Sequence, residues 1–269
     1  MEKKRILFIS QEIVPYLPES EIATIGRHLP QGIQERGKEI RTFMPRYGCV
    51  NERRNQLHEV IRLSGMNLII NDTDHPLIIK VASIQAARMQ VYFIDNEDYF
   101  QRKAVLTDSE GKYFEDNDER AMFFARGVLE TVIKLRWAPD LIHCNGWLAS
   151  LVPLYIKKYY KKDPLFANSK VVYSVYDDEF SSKFDPNLVQ KLAMEDGISA
   201  EDVNHLNDPS YLAFSKTAID YSDGIIKGSE AINSDLESYC KDSEKMFLDY
   251  QPKESYIDGF NAFYDQVIG

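Results

Sequence analysis

RILFISQEIVPYLPESEIATIGRHLPQGIQERGKEIRTFMPRYG, residues 5–48, holds a strand, a helix and a second strand within the length of one crossover unit. Arg5–Ser10 is a short run of β-favouring apolar residues, the pattern of a strand buried on both faces. After a loop containing Pro15 and Pro18, apolar residues recur at Ile22, Ile25, Leu29 and Ile33, the spacing of one helix face. Ser20 stands where an N-cap belongs, and Gly37 where a helix stop belongs. Pro30, inside this span, predicts a kink or a division into two helices. Residues 39–44 read as the second strand, stopped by Pro45. A strand–helix–strand connection of this kind is right-handed and leaves its two strands parallel. The opening therefore places the chain among α/β proteins.

Outward from there the alternation continues. Residues 140–143 and 170–176 read as buried strands, and 224–227 as the last strand. Residues 114–137 carry Met122, Phe123, Ala125, Val128, Leu129, Val132 and Ile133 at helical spacing, with Asp116 or Asn117 as N-cap. Further helices are expected at 148–161 and 229–240, and two more within 186–221. Residues 56–95 differ. Three β-rich runs, near 56–63, 66–82 and 90–95, follow one another without long helices, as a hairpin-bearing insertion would. Residues 241–254 read as a linker. Beyond it, the aromatic face of a last amphipathic helix (Tyr256, Phe260, Phe263, Tyr264) needs a surface to pack against. The expected organisation is a Rossmann-like domain over residues 1–240, a linker over 241–254 and a helix over 255–269 packed back on the domain. Its sheet is mostly parallel, with helices on both faces and a β-rich insertion.

Composition narrows the classes of function. With 269 residues the chain is long enough to bury a sizeable core without disulfide staples. Its net charge of −10 opposes binding to nucleic acid or to an anionic membrane surface, both of which are polyanions. Cys49, Cys144 and Cys240 are scattered, with no CxxC pair, which suits a reducing compartment; the expected location is the cytoplasm. No apolar run approaches the roughly 20 residues of a membrane span.

No Gly-rich phosphate loop follows the first strand: residues 10–16 contain no glycine, and no Walker A sequence occurs. Neither a nicotinamide nor a P-loop nucleotide enzyme is expected, and no cofactor is. The five histidines, His28, His58, His75, His143 and His205, are dispersed without ligand spacing, so no metal site is expected. Acidic clusters at 115–119 and 177–179 have a plain explanation as solvated loops or helix starts favoured by the macrodipole. His143 and Asn145 end a strand in HCNGW, just before a helix, where ligands of open α/β sheets bind. A histidine satisfied within the core is the competing reading of His143.

Four stretches, taken in order, resemble the N-terminal half of the bacterial glycogen and starch synthases, glycosyltransferase family 5. They are ILFISQEIVPY with LPQGIQERGKEIRTFMPRYG, VYFIDNEDYFQR (91–102), DNDERAMFFARGVLE, and APDLIHCNGWLASLVPLYIK (138–157). The resemblance implies two facing Rossmann-like domains, the GT-B fold. In it the N-terminal domain receives the growing α-1,4-glucan and the C-terminal domain holds ADP- or UDP-glucose. Transfer retains the anomeric configuration and uses no metal. On this reading the sequence lacks the C-terminal donor domain, and ESYIDGFNAFYDQV is similar to the family's terminal helix, kept to cover an apolar surface.

The departures from the family pattern are specific. Its Lys-x-Gly-Gly-Leu loop falls on Pro18, Glu19, Ser20, Glu21 and Ile22, which removes the lysine and both glycines and adds two carboxylates. Like charges about 4 Å apart cost about 4 kcal/mol at an effective dielectric of about 20, so a nucleotide diphosphate is repelled there. The His-x-His-Asp-Trp-His run becomes His143, Cys144, Asn145, Gly146, Trp147 and Leu148, and the Thr-Ile-His-Asn segment becomes Ser174, Val175, Tyr176 and Asp177. Asp95, Asn96, Arg102, Asp116, Asn117, Arg120, His143 and Trp147 keep the pattern. Residual cleft residues are therefore expected among Glu12, Tyr16, Asn96, Arg102, Asp116, Asn117, Arg120, His143, Asn145, Trp147, Tyr176 and Asp177, with no catalytic residue assigned. The leading expectation is a degenerate, glycogen synthase-like protein of glucan metabolism that binds a glucan or a protein partner, or regulates an active synthase. The alternatives are a glucosyltransferase completed by a separate donor-binding chain, and a structural protein that oligomerises through the face left by the missing domain.

Overall fold

The structure, a computed structural model, describes residues 3–269. The chain opens with β1 (Arg5–Ser10), α1 (Glu21–Glu35), β2 (Glu39–Pro45), α2 (Glu52–Asn55), β3 (His58–Glu59), β4 (Met66–Ile70) and β5 (Thr73–Ile84). It continues through β6 (Met89–Asp95), α3 (Glu97–Phe100), α4 (Asn117–Leu135), β7 (Leu141–Asn145), α5 (Val152–Lys157) and β8 (Lys170–Val175). Then come α6 (Leu188–Ala193), α7 (Tyr211–Asp220), β9 (Gly224–Lys227), α8 (Ser234–Asp242), β10 (Met246–Leu248) and α9 (Tyr256–Ile268).

The strands form one ten-stranded sheet in the order β10-β9-β8-β7-β1-β2-β6-β5-β3, with β4 paired to β5 off that path. From β10 to β6 every neighbour is parallel. β5 joins antiparallel to β6 and carries the hairpin with β4, which is the expected insertion. Strand parity sorts the core. Ile6 and Phe8 face Leu29 and Ile33 of α1 and the apolar side of α9. Leu7 and Ile9 face the larger core, to which α4, α5 and α7 contribute.

Several expectations are corrected. α1 runs unbroken through Pro30, with Ser20 accepting from the Ala23 N–H as N-cap and Gly37 following in the left-handed region. The helix expected over 148–161 is a 3₁₀ turn at Trp147–Ala149 followed by the six-residue α5. Residues 186–221 hold α6, a 3₁₀ segment (Ala200–Asn207) and α7, one element more than periodicity gave. The linker contains β10, an edge strand parallel to β9, so β9 is not the last strand.

α9 is part of the fold. Tyr256, Phe260, Phe263, Tyr264 and Val267 are buried against β1, β7, β8, β9 and α1. A Cβ on Gly32 would lie 2.5 Å from Ile257, and one on Gly224 would lie 3.0 Å from Phe263, so these glycines set how closely the helix approaches. Lys38 bonds Asn261 at 2.7 Å and Asp265 at 2.8 Å at the rim. Inside, His143 meets the Tyr264 hydroxyl through Nδ1 and the Ser174 hydroxyl through Nε2, each at 2.6 Å. Both hydroxyls can donate or accept, so a neutral imidazole is satisfied in either tautomer. Burial pushes the His143 pKa from 6.5 down to about 3.

Tyr264→Phe leaves one imidazole nitrogen unpaired in the core, and urea denaturation is expected to show a loss of about 1–3 kcal/mol. Because His143 takes a proton readily when unfolded but not when folded, its contribution to stability is complete above pH 6.5 and falls as pH drops toward 3. The wild type is expected to lose stability over that window faster than His143→Gln does, by up to about 1.4 kcal/mol per pH unit.

Candidate functional site

In an open parallel sheet, ligands bind beyond the carboxyl ends of the strands. Here the loops after β1 and β9 meet the first turn of α1, and the loop after β8 is tied to that turn through Ser229. Ser20 Oγ accepts the Ala23 N–H at 3.0 Å and donates to Glu12 Oε2 at 2.6 Å. Glu21, in the first turn, accepts from the Ser229 hydroxyl. A helix N-terminus attracts an anion through its free N–H groups and its dipole. At α1 the Ala23 N–H is already capped by Ser20, and Glu12 and Glu21 place carboxylates around the turn. Gly26 allows this arrangement, since a Cβ there would lie 2.6 Å from the Glu12 carbonyl oxygen and 2.9 Å from Ser10 Oγ.

Beside this turn lies a cavity of about 640 Å³, bounded by α1, the end of β9, the segment before α9 and α9 itself. Tyr250, Tyr256 and Phe260 supply aromatic walls; Glu19, Glu21, Gln251, Lys227 and Lys253 supply polar groups. Lys227 is already paired with Glu237 at 3.0 Å. His28 also lines the cavity; its pKa is lowered by burial first and by the nearby Arg27 and Lys253 charges second, which favours the neutral ring. Aromatic faces with planar hydrogen-bonding side chains, at this volume, suit a hydroxyl-rich ligand. Among the described residues no group of three or more His, Cys, Asp or Glu side chains is placed to hold a metal ion.

The residues singled out from the sequence divide by location. Glu12 belongs to the α1 turn. Tyr16 is buried edge-on against Phe93 at 4.8 Å, and burial pushes its hydroxyl pKa up to about 12. Asn96 caps α3 and donates to the Pro76 carbonyl at 2.9 Å. Arg102 forms a two-pronged pair with Asp116 and lies over Phe114. Asn117 donates to the Leu106 carbonyl. Arg120 donates to the Tyr99 carbonyl and Asn117, and burial lowers its pKa to about 10. Asn145 accepts from the Tyr176 hydroxyl at 2.9 Å, while Trp147 packs on Phe180 and Phe184. The Asp177 N–H donates to the Ser229 hydroxyl, which ties the loop after β8 to the α1 turn. His143 lies in the core under α9, away from solvent.

Sequence reasoning missed the cavity residues from the linker, Tyr250, Gln251 and Lys253, and it missed two acids. Asp118, in a cluster read as a solvated loop or a helix start, lies in the first turn of α4 and is also fully buried against Lys191 at 2.9 Å. Asp178 is half-buried as a residue, but its carboxyl group is enclosed and its pKa is raised to about 7, chiefly by burial. The Tyr211 hydroxyl lies 2.6 Å from the Tyr176 carbonyl and 2.8 Å from Asp178 Oδ1. It has one proton to give. If it donates to the carbonyl, a protonated Asp178 completes the network by donating to Tyr211, while Oδ2 accepts the Trp147 N–H at 3.2 Å.

The sequence profile of the family described as "Starch synthase catalytic domain" matches residues 5–244. The glycogen synthase of Chlorobaculum parvum is 36% identical over 188 residues, covering 70% of this chain and 38% of the relative. That of Chlorobium luteolum is 36% identical over 208 residues, covering 75% and 42%. That of Pelodictyon phaeoclathratiforme is 32% identical over 241 residues, covering 87% and 48%. The chain thus spans about two fifths to one half of the length of these curated relatives. The catalytic domain of starch synthase IV from Arabidopsis thaliana, bound to ADP and acarbose, superposes with a TM-score of 0.73 at 16% identity, covering 95% of this chain and 53% of that one. The shared fold is the mixed, mostly parallel sheet of the GT-B type.

Asp178→Asn keeps a donor toward Tyr211 and an acceptor toward Trp147 without a charge. In the wild type the unfolded chain loses the Asp178 proton near pH 3.8 and the folded chain only near pH 7, so stability falls as pH rises between them. The variant is expected to be more stable than the wild type above pH 7, with the difference shrinking toward pH 4 in thermal unfolding.

Proposed function

Because the chain belongs to the starch synthase catalytic domain family, we propose that it is a glycogen/starch synthase-like unit of glucan metabolism that holds an α-1,4-glucan and does not by itself transfer glucose. The observation that carries this reading is the α1 turn, whose start is capped by Ser20 and flanked by the carboxylates of Glu12 and Glu21. A nucleotide diphosphate brought there meets like charges, each close pair costing about 4 kcal/mol, roughly a thousandfold in affinity. An α-1,4-glucan carries no charge. Glu19 and Glu21, which line the adjoining cavity, accept hydrogen bonds from its hydroxyl groups, and the aromatic walls pack against its rings.

Proton transfer also counts against stand-alone chemistry. Where the family pattern has its second histidine, the chain has Asn145, whose amide has no protonation change near neutral pH. His143 is held neutral and sealed beneath α9, out of reach of substrate.

Affinity electrophoresis of the full chain through gels with and without glycogen tests the reading. Retardation by glycogen that ADP-glucose leaves unchanged is expected. Tyr250→Ala is expected to weaken the interaction about 2- to 10-fold, the value of one aromatic contact. Glucosyl transfer from ADP- or UDP-glucose to glycogen by the pure protein would overturn the proposal. Equal mobility in every gel would remove glucan from it and point to a protein partner.

A further inference from the structure

At the opposite end of the sheet, where β2 and β6 begin, lies a second cavity of about 390 Å³. Its polar lining is Arg41, Arg88, Gln34, Gln85, Gln90 and Ser83, and no carboxylate lines it. In a chain of net charge −10, two guanidinium groups sharing a recess without a carboxylate need a reason. Arg88 is exposed, sits in a left-handed turn at φ +50°, and has no carboxylate partner among the described residues. Arg41 is held in place by donating from Nη1 to the Tyr92 hydroxyl at 2.7 Å and by lying over the rings of Trp137 and Tyr92. Its Nε is buried and has no hydrogen-bond partner. The acid nearest along the same strand, Glu39, is already engaged by Arg5 and the Trp137 indole.

We propose that this cavity binds a small phosphate-bearing ligand, with Arg41 as the fixed donor and Arg88 as the closing one. Guanidinium groups present planar forks of N–H donors that match phosphate oxygens, and charge-assisted bonds of this kind are about twice as strong as neutral ones. The side-chain amides and the hydroxyl supply further donors. The volume exceeds that of a bare phosphate ion, so the organic part of a small phosphate ester is accommodated as well. The C-terminal turn of α1 at Gln34 opposes an anion, but with a partial charge of only about half an electron against two full cations. The site lies away from the α1 turn and the 640 Å³ cavity, so it is independent of the glucan reading.

Isothermal titration calorimetry of the full chain with inorganic phosphate and, separately, with glycerol 3-phosphate, at constant ionic strength, tests the assignment. Saturable one-site binding with a Kd at or below about 1 mM is expected for at least one of them. Tighter binding of the ester identifies an organic phosphate as the ligand, and equal binding identifies phosphate itself. Arg88→Gln, an exposed and unpaired position, is expected to weaken binding at least about 10-fold, as loss of a charge-assisted bond does. Arg41→Gln abolishes it, and Arg62→Gln, exposed elsewhere, leaves it unchanged. Absence of saturable binding by either probe, or binding that survives Arg88→Gln, overturns the proposal.

Discussion

The parallel part of the sheet is apolar on both faces, and a parallel sheet is stable only when both are covered. α1 covers the β1–β2 region, and α9 covers the strip over β7, β8 and β9. The rest of the structure follows from that docking. Gly32 and Gly224 are as small as the approach requires, Lys38 fastens the rim, and Tyr264 reaches the buried imidazole of His143. Without the Tyr264 hydroxyl, His143 would carry a buried nitrogen with no partner, a cost larger than the net gain of an ordinary hydrogen bond. The same docking supplies the third wall of the cavity beside α1, through Tyr256, Ile257 and Phe260. Stability of the sheet and the shape of the candidate site therefore rest on one helix.

Charge is arranged unequally along the strands. At the carboxyl ends, Glu12, Glu19 and Glu21 gather around a helix start that would otherwise attract an anion. At the amino ends of β2 and β6, Arg41 and Arg88 line a recess without acids. The first end favours neutral, hydroxyl-rich ligands and the second favours anions. The sheet separates the two, so each follows its own local electrostatics rather than the net charge of the chain.

Much of this was legible in residues 5–48, because apolar spacing, Ser20 and Gly37 mark a strand, a helix and a strand by local rules. The β-rich insertion was legible for the same reason. Local rules failed where a distant partner decides. Pro30 looked disruptive, yet α1 continues through it, clamped between β1 and α9. Asp118 read as part of a solvated loop or a helix start; it is at a helix start, but its burial depends on Lys191, far along the chain. β10 is three residues long and exists only because β9 offers an edge. His143 shares strand parity with Leu141, which places it in the α9 layer; its position at the end of a strand drew attention to the site, but parity decided its role. The cavity joins residues 19–28 to 250–260, a juxtaposition that no local pattern encodes.

The central claim is that the first βα turn is closed to nucleotide phosphate by the chain's own carboxylates. Calorimetric titration of ADP-glucose into the wild type, and into a variant carrying Glu12→Gln and Glu21→Gln, tests it most directly. The account predicts no saturable heat in the wild type and measurable binding once the two acids are gone. Saturable binding to the wild type that the double substitution leaves unchanged would contradict it.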